Sequence, residues 1–163
     1  MLEKRDLYYF CPRFISSSME ENRTFKHIVP MQIRFNDVDK FGHVNNTNYF
    51  QYYDTAQTEY IFDVCPDIDW TKVAIIVVHI EADFVAQIVG QARIACRTRV
   101  EKIGHKSFTL RQEVYDMDNG EVKCICHSVM LAFDLTTHST MLLPDEWVES
   151  ICRYEGVDLR EKA

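Results

Sequence analysis

The sequence predicts an α+β domain in which an antiparallel sheet of about five strands wraps around one long central helix. Three observations predict it. A helical pattern of apolar residues begins near residue 45, strand-like alternation dominates the chain after residue 72, and 163 residues suit one domain with one core. Since a long antiparallel sheet must cover one face, the helix is expected to pack against it.

Residues 1–25 are predicted to form an N-terminal extension of unknown role, and residues 26–163 a single domain. The extension ends in polar clusters at residues 16–18 and 20–23, and its aromatic patch, residues 7–11, is a candidate for docking on the domain.

The domain is expected to begin with a short strand at residues 31–35 and a polar turn at 36–45. A long helix follows, capped by Asn45 or Asn46 and ended by Pro66. Its apolar stripe, which we expect to face the core, recurs at steps of three or four: Tyr49, Tyr53, Ala56, Tyr60 and Val64.

Four long strands in a meander are predicted after the helix, at residues 73–86, 91–102, 107–116 and 121–135. In the second, one side carries Ala92, Ile94, Cys96, Thr98 and Val100, and the other Arg93, Arg97, Arg99 and Glu101. Such alternation is typical of a half-buried antiparallel strand. A hairpin turn is predicted at residues 118–120 and a short helix after Pro144.

The formal net charge of −7 argues against nucleic acid as a partner. The longest apolar run, residues 73–80, falls well short of the roughly 20 residues that a membrane span requires. No secretory signal pattern opens the chain, so a cytoplasmic location is expected.

The six cysteines are expected to be free and mostly buried thiols: Cys11, Cys65, Cys96, Cys124, Cys126 and Cys152. Cys124 and Cys126 share a strand face but have no companion pair at zinc-site spacing. His79 and Glu81 also share a face but lack the helical spacing of zinc peptidases, so no metal and no cofactor is predicted. Neither a glycine-rich phosphate loop nor a serine nucleophile elbow occurs.

Polar groups concentrate in residues 35–49, FNDVDKFGHVNNTNY, at the turn that feeds the helix. The first N–H groups of a helix are unpaired and carry partial positive charge, so they can hold a carbonyl oxygen that becomes an oxyanion. A carboxylate facing that helix end can act on the same carbonyl.

The run includes Asp37-Val38-Asp39, Gly42-His43-Val44-Asn45-Asn46 and Tyr49, and the helix continues with Ala56-Gln57-Thr58-Glu59-Tyr60. With these residues the sequence resembles, over about residues 30–135, the hot-dog-fold thioesterases of the 4-hydroxybenzoyl-CoA thioesterase type, including the broad bacterial acyl-CoA thioester hydrolases. The resemblance implies the hot-dog fold, hydrolysis of an acyl-CoA to a free carboxylic acid and CoA in lipid metabolism, and a homodimer or homotetramer.

The resemblance also implies site residues. The catalytic carboxylate falls on Asp39, as nucleophile or general base, and the oxyanion amide on or near Asn46. The substrate site is expected to include Val44, Asn45 and Tyr49. His43 is either a polar site residue or a histidine that fixes the turn by a hydrogen bond.

A basic turn that contacts CoA phosphates in the 4-hydroxybenzoyl enzyme corresponds here to Lys102, His105 and Lys106. Gly104 and His105 replace arginines of that enzyme, so phosphate binding is expected to be weaker or placed differently. The alternative is an ordinary solvated turn.

Two other functions stay open at this point. Plant acyl-ACP thioesterases share a similar run ending in His-Val-Asn-Asn, but Phe41 stands where they carry a catalytic asparagine. A non-catalytic module that binds acyl-CoA is the second alternative, which the presence of Asp39 disfavours. Acyl chain length, and aromatic against aliphatic acyl groups, are open.

Overall fold

The computed structural model describes residues 23–161. Its elements are β1 (His27–Met31), a 3₁₀ turn (Phe35–Asp37), α1 (Asn46–Val64), β2 (Val73–Phe84), β3 (Ile94–Ile103), β4 (Ser107–Asp116), β5 (Val122–Asp134), β6 (Ser139–Thr140) and α2 (Asp145–Glu155). The predicted aromatic patch, residues 7–11, lies outside the described residues, as does most of the predicted extension.

The strands form one antiparallel sheet in the order β1-β3-β4-β5-β2, with β6 paired to the end of β5. The predicted α+β class, with α1 packed on the sheet, is confirmed. The predicted four-strand meander is wrong for β2, which pairs with β5 and not with β3. The reason is that β1 occupies the free edge of β3, where His27 faces Thr98, so only the edge of β5 remains for β2.

The first strand also differs from its prediction: it spans His27–Met31 rather than residues 31–35. Pro30 is tolerated there because β1 is an edge strand. After Met31 the chain leaves the sheet and turns back, and the Asp37 carboxylate accepts a hydrogen bond from the Arg34 backbone N–H at 2.8 Å.

Helix α1 follows its prediction closely. The Asn45 side chain caps it by accepting from the Thr47 N–H at 3.0 Å, and it ends two residues before Pro66. All five residues of the predicted stripe are buried. On the sheet side, the Gln112 side chain donates to the Tyr53 carbonyl at 2.9 Å, which ties β4 to the middle of the helix.

The predicted helix after Pro144 is confirmed as α2, which packs Trp147 and Ile151 into the core cluster around Tyr60. The five described cysteines are free, four of them buried and Cys152 half-buried, as predicted; Cys11 lies outside the described residues. Within residues 23–161 no helix is long and apolar enough to cross a membrane.

Candidate active site

The loop before α1 is organised around the buried carboxylate of Asp37, whose exposed fraction is 2%. This carboxylate accepts hydrogen bonds from Arg34 Nε at 3.1 Å and from the Tyr52 hydroxyl at 3.0 Å, besides the backbone bond at Arg34. Burial alone would raise the pKa of Asp37, but the bonds from Arg34 and Tyr52 outweigh it and lower the pKa. Asp37 is therefore an ionised anchor.

The backbone of Asp37 fixes where the helix begins. Its carbonyl accepts from the Asn45 N–H at 2.8 Å and from the Asn48 side-chain amide at 3.0 Å. Asn48 and Tyr52 were not predicted as part of this site, although their separation of four residues places them on one helix face. Both of them hold Asp37, one through its carbonyl and one through its carboxylate.

We expect Asp37→Asn to lower the free energy of unfolding at neutral pH by about 2 kcal/mol, because hydrogen bonds to a buried charge are lost. A carboxylate with a lowered folded-state pKa stabilises the fold above its ordinary pKa, and that contribution disappears as pH falls through the lowered value. The difference in the free energy of unfolding between wild type and variant should therefore shrink as pH drops below about 4.

Denaturant unfolding across that pH range checks this prediction, with Asp118→Asn as the control. Asp118 pairs with Arg93 at an exposed position, so its loss should cost little. If the difference in the free energy of unfolding between wild type and Asp37→Asn stayed constant down to low pH, the Asp37 carboxylate would not be ionised as described.

Asp39 is half-buried, and only one of its carboxylate oxygens is engaged. Oδ1 accepts from the Phe41 N–H at 2.8 Å and the His43 N–H at 3.2 Å, and the Asp39 N–H donates to the His43 carbonyl at 2.8 Å. Gly42 closes this turn with a φ of +80°, which favours glycine. Among residues 23–161 no hydrogen-bond donor contacts Oδ2, so this oxygen is oriented and available.

At the start of α1 one backbone N–H has no acceptor among residues 23–161, and we call it the open amide. The Asn45 N–H donates to the Asp37 carbonyl, the Thr47 N–H to the Asn45 side chain and the Asn48 N–H to the Asn45 carbonyl. In the described part of the chain the Asn46 N–H has no acceptor. It lies at the positive end of a 19-residue helix, where an acceptor bearing negative charge is favoured.

The other residues predicted around the substrate differ in what they can contact. Val44 and Tyr49 are buried, and the Tyr49 ring packs edge-on against Phe84 with centroids 5.2 Å apart. Burial raises the pKa of Tyr49 to about 12, so its phenol is neutral. The Asn45 side-chain oxygen already accepts the capping hydrogen bond from the Thr47 N–H. The His43 backbone fixes the turn, and its ring makes no hydrogen bond to residues 23–161.

The predicted basic turn lies away from this loop. The Asp39 loop pairs at His43 with Val89, shortly before the start of β3. Lys102 lies near the other end of β3, and His105 and Lys106 follow that end, roughly 30 Å away along a ten-residue strand. Lys102 Nζ lies 3.4 Å from Glu161, and Lys106 Nζ donates to Thr140 at 3.1 Å. One subunit therefore does not bring the turn and Asp39 together.

No group of three or more histidine, cysteine, aspartate or glutamate side chains in residues 23–161 is arranged to hold a metal ion.

Comparison with known proteins identifies the family of this chain and structures that share its fold. Residues 33–151 match the family described as the thioesterase-like superfamily. A thioesterase structure from Thermus thermophilus, complexed with coenzyme A and Zn, is 26% identical, covers 81% of this chain and 96% of its own, and has a TM-score of 0.72. The PA5185 protein of Pseudomonas aeruginosa PAO1 is 23% identical, with 85% and 94% covered and a TM-score of 0.72.

An uncharacterised Bacillus subtilis protein, YsmA, is 23% identical over 100 residues, which are 61% of this chain and 68% of that protein. The resemblance drawn from the sequence is confirmed by the family match and by these shared folds. Because the match spans residues 33–151 of the chain, the protein belongs to the thioesterase-like superfamily and is a thioester hydrolase with the hot-dog fold.

Proposed function

We propose that this protein hydrolyses acyl-CoA thioesters, with Asp39 as the catalytic carboxylate and the Asn46 N–H as the oxyanion donor. The observation that carries the proposal is the free Oδ2 of Asp39 in the same hydrogen-bonded loop that ends in the open Asn46 amide. The Thermus thermophilus thioesterase complexed with coenzyme A supports CoA as the thiol half of the substrate.

In the general-base form, Asp39 Oδ2 takes a proton from water as the water oxygen bonds to the thioester carbon. The carbonyl oxygen becomes an oxyanion that accepts from the Asn46 N–H. The C–S bond then breaks, and CoA leaves as a thiolate that recovers the proton from Asp39. The products are a carboxylic acid and CoA.

In the nucleophile form, Oδ2 itself bonds to the carbonyl carbon and expels CoA thiolate, which leaves an anhydride between the acyl group and Asp39. Water then cleaves the anhydride and restores the carboxylate. Both forms need an unblocked Oδ2 and the same oxyanion donor.

The free edge of β2 favours a dimer as the working unit. No strand of residues 23–161 pairs along this edge, and β2 exposes apolar residues to solvent, among them Val77, Val78 and Ile80 at 43%, 52% and 41%. Such an edge is open to pairing with another chain. In an antiparallel pair of β2 strands from two copies, the two sheets run in opposite directions. The end of the partner's sheet that carries its basic turn would then lie on the same side as Asp39 of the first copy. That turn could reach the phosphates of a CoA bound at Asp39.

Val78→Lys is expected to convert this dimer to a monomer and to lower kcat/KM for acyl-CoA roughly 100-fold, mainly through KM. Val78 lies at the middle of β2, where a two-fold axis would bring the two added charges together. It is also the residue skipped in the register between β2 and β5, so the subunit should fold normally. Light scattering and CoA-release kinetics check both parts.

Leu142→Lys is the matched control, since Leu142 is an exposed apolar residue, at 64%, in the loop before α2. A Val78→Lys variant that stays dimeric, or a monomer with full activity, would contradict the two-subunit site.

The substrate is tested by CoA release from purified protein given short-chain, medium-chain, long-chain and aromatic acyl-CoAs. Turnover of at least one class is expected, and the class with the highest kcat/KM defines the acyl preference. Turnover of acyl-ACP alone would replace CoA by the carrier protein as the thiol half. Binding of acyl-CoA without turnover would favour a non-catalytic module.

A further inference from the structure

The outer face of the sheet, turned away from α1, holds a pocket of about 580 Å³ at its β3 and β4 strands. We call it the arginine pocket, because Arg23, Arg97, Arg99 and Arg111 line it together with a single carboxylate, Glu113. Apolar side chains from the neighbouring strands complete it: Ile28, Val122 and Ile125. The proposed thioesterase loop contributes no residue to this pocket.

The two carboxylates of the region are already shared among several cations. Glu113, 3% exposed, accepts from Arg97 Nε at 2.8 Å and from Arg111 Nη2 at 2.7 Å. Glu101 lies beside it, 3.4 Å from Arg99, 3.9 Å from Arg111 and 3.0 Å from His127 Nδ1. In residues 23–161, guanidinium groups thus outnumber carboxylates in this cluster, on a chain whose net charge is −7.

Residues 23–25 lie over part of the cluster. The Phe25 ring lies 4.6 Å from the Arg97 guanidinium and 4.9 Å from that of Arg99. Arg23 Nη2 donates to the Val100 carbonyl at 2.7 Å, while Arg23 Nη1 is buried and has no hydrogen-bond acceptor among the described residues. A buried donor without an acceptor costs stability, so an anionic oxygen that reached Arg23 Nη1 would be stabilised there.

The charges also act on each other. Burial and the charge of Arg111 lower the pKa of Arg99, although Glu101 opposes them. Holding several like charges in a half-buried pocket is unfavourable unless an anion balances them. Guanidinium groups are well suited to that anion, because their planar N–H pairs match the two oxygens of a carboxylate or phosphate.

We propose that the arginine pocket is a binding site for an oxyanion group, a carboxylate or a phosphate, held by Arg23, Arg97 and Arg111 and separate from the thioesterase site. The apolar wall gives the carbon part of such a ligand a place to pack. The group has two possible sources. One is a free small anion, and the other is the chain itself, since Glu20 and Glu21 precede Arg23 by three and two residues, a reach of at most ~10 Å.

The test uses the full chain and titrates pyrophosphate and citrate by calorimetry, with sodium chloride at matched ionic strength as the blank. Four proteins are compared: wild type, the double variant Glu20→Gln/Glu21→Gln, Arg111→Gln and the control Arg93→Gln. Arg93 is an exposed arginine that pairs with Asp118 outside the pocket. Arg111→Lys, which keeps the charge, replaces Arg111→Gln if that variant unfolds.

For a free anion, we expect saturable binding to wild type, weakened roughly tenfold or more in Arg111→Gln and unchanged in Arg93→Gln. For the chain's own carboxylates, we expect binding to appear only in the double variant, which should also unfold at lower temperature than wild type. Either result supports the oxyanion site. An absence of saturable binding to both wild type and the double variant would overturn it and leave an ion-pair network that is balanced internally.

Discussion

Asp39→Asn is expected to lower kcat for CoA release about 1,000-fold while changing KM little, because in the proposed mechanism Asp39 acts in the transition state. The substitution is close to isosteric. Its Oδ1 can still accept from the Phe41 and His43 N–H groups, so the turn should keep its shape. The amide nitrogen that replaces Oδ2 can neither take a proton from water nor attack a thioester.

Steady-state CoA release and thermal unfolding are measured on the same preparations, with Asp69→Asn as the matched control. Asp69 also holds a turn, since its Oδ1 accepts from the Thr71 N–H at 3.1 Å, but it lies in the loop after α1. The control should keep full activity. Turnover that survives in folded Asp39→Asn, or falls equally in Asp69→Asn, would remove Asp39 from the mechanism.

A single turnover in heavy-oxygen water tests the nucleophile form. Label that enters the Asp39 carboxylate indicates an anhydride that water cleaves at the Asp39 carboxyl carbon. Label found only in the acid product is expected of the general base, and also of an anhydride that water cleaves at its acyl carbon.

The parts of the fold that depend on local pattern could be predicted from the sequence. The stripe of α1 and the strand Ser107–Asp116 were placed well, because a 3.6-residue or two-residue period is visible within one element. The position of β2 could not be predicted in this way. Its apolar run from Val73 carries no information on which strand it will pair with, and that choice depends on β1 occupying the other edge.

In the candidate site, too, local pattern was not enough, because the roles of the residues depend on contacts between distant parts of the chain. Two aspartates two residues apart look alike in the sequence, and only the resemblance pointed to Asp39. They differ in the fold because Tyr52, fifteen residues beyond Asp37, returns to bond one carboxylate and not the other. The arginine pocket could not be predicted from the sequence either. Alternation along the strand predicted that Arg97 and Arg99 lie on the same face, but it is the register of β3 against β4 that brings Arg111 beside them.

Asn46→Pro is expected to lower kcat by roughly 100-fold to 1,000-fold, because we propose that the Asn46 N–H is an oxyanion donor and the loss of one such donor has an effect of this size. Proline removes the Asn46 N–H, which side-chain substitutions leave in place. The first helical position is where proline fits best, because its N–H would have no partner within the helix. Asn45, with φ of −64° and ψ of 138°, already has the extended backbone that a following proline requires.

Kinetics of Asn46→Pro are compared with those of Asn46→Ala, which loses the exposed side chain but retains the N–H. The alanine variant should lose far less activity than the proline variant, and both should unfold near the wild-type temperature, since α1 keeps its Asn45 cap. Equal losses in the two variants would assign the effect to the side chain. A proline variant with wild-type kcat would mean that the oxyanion is held elsewhere, because no other amide at the start of α1 is left open by the hydrogen bonds of residues 23–161.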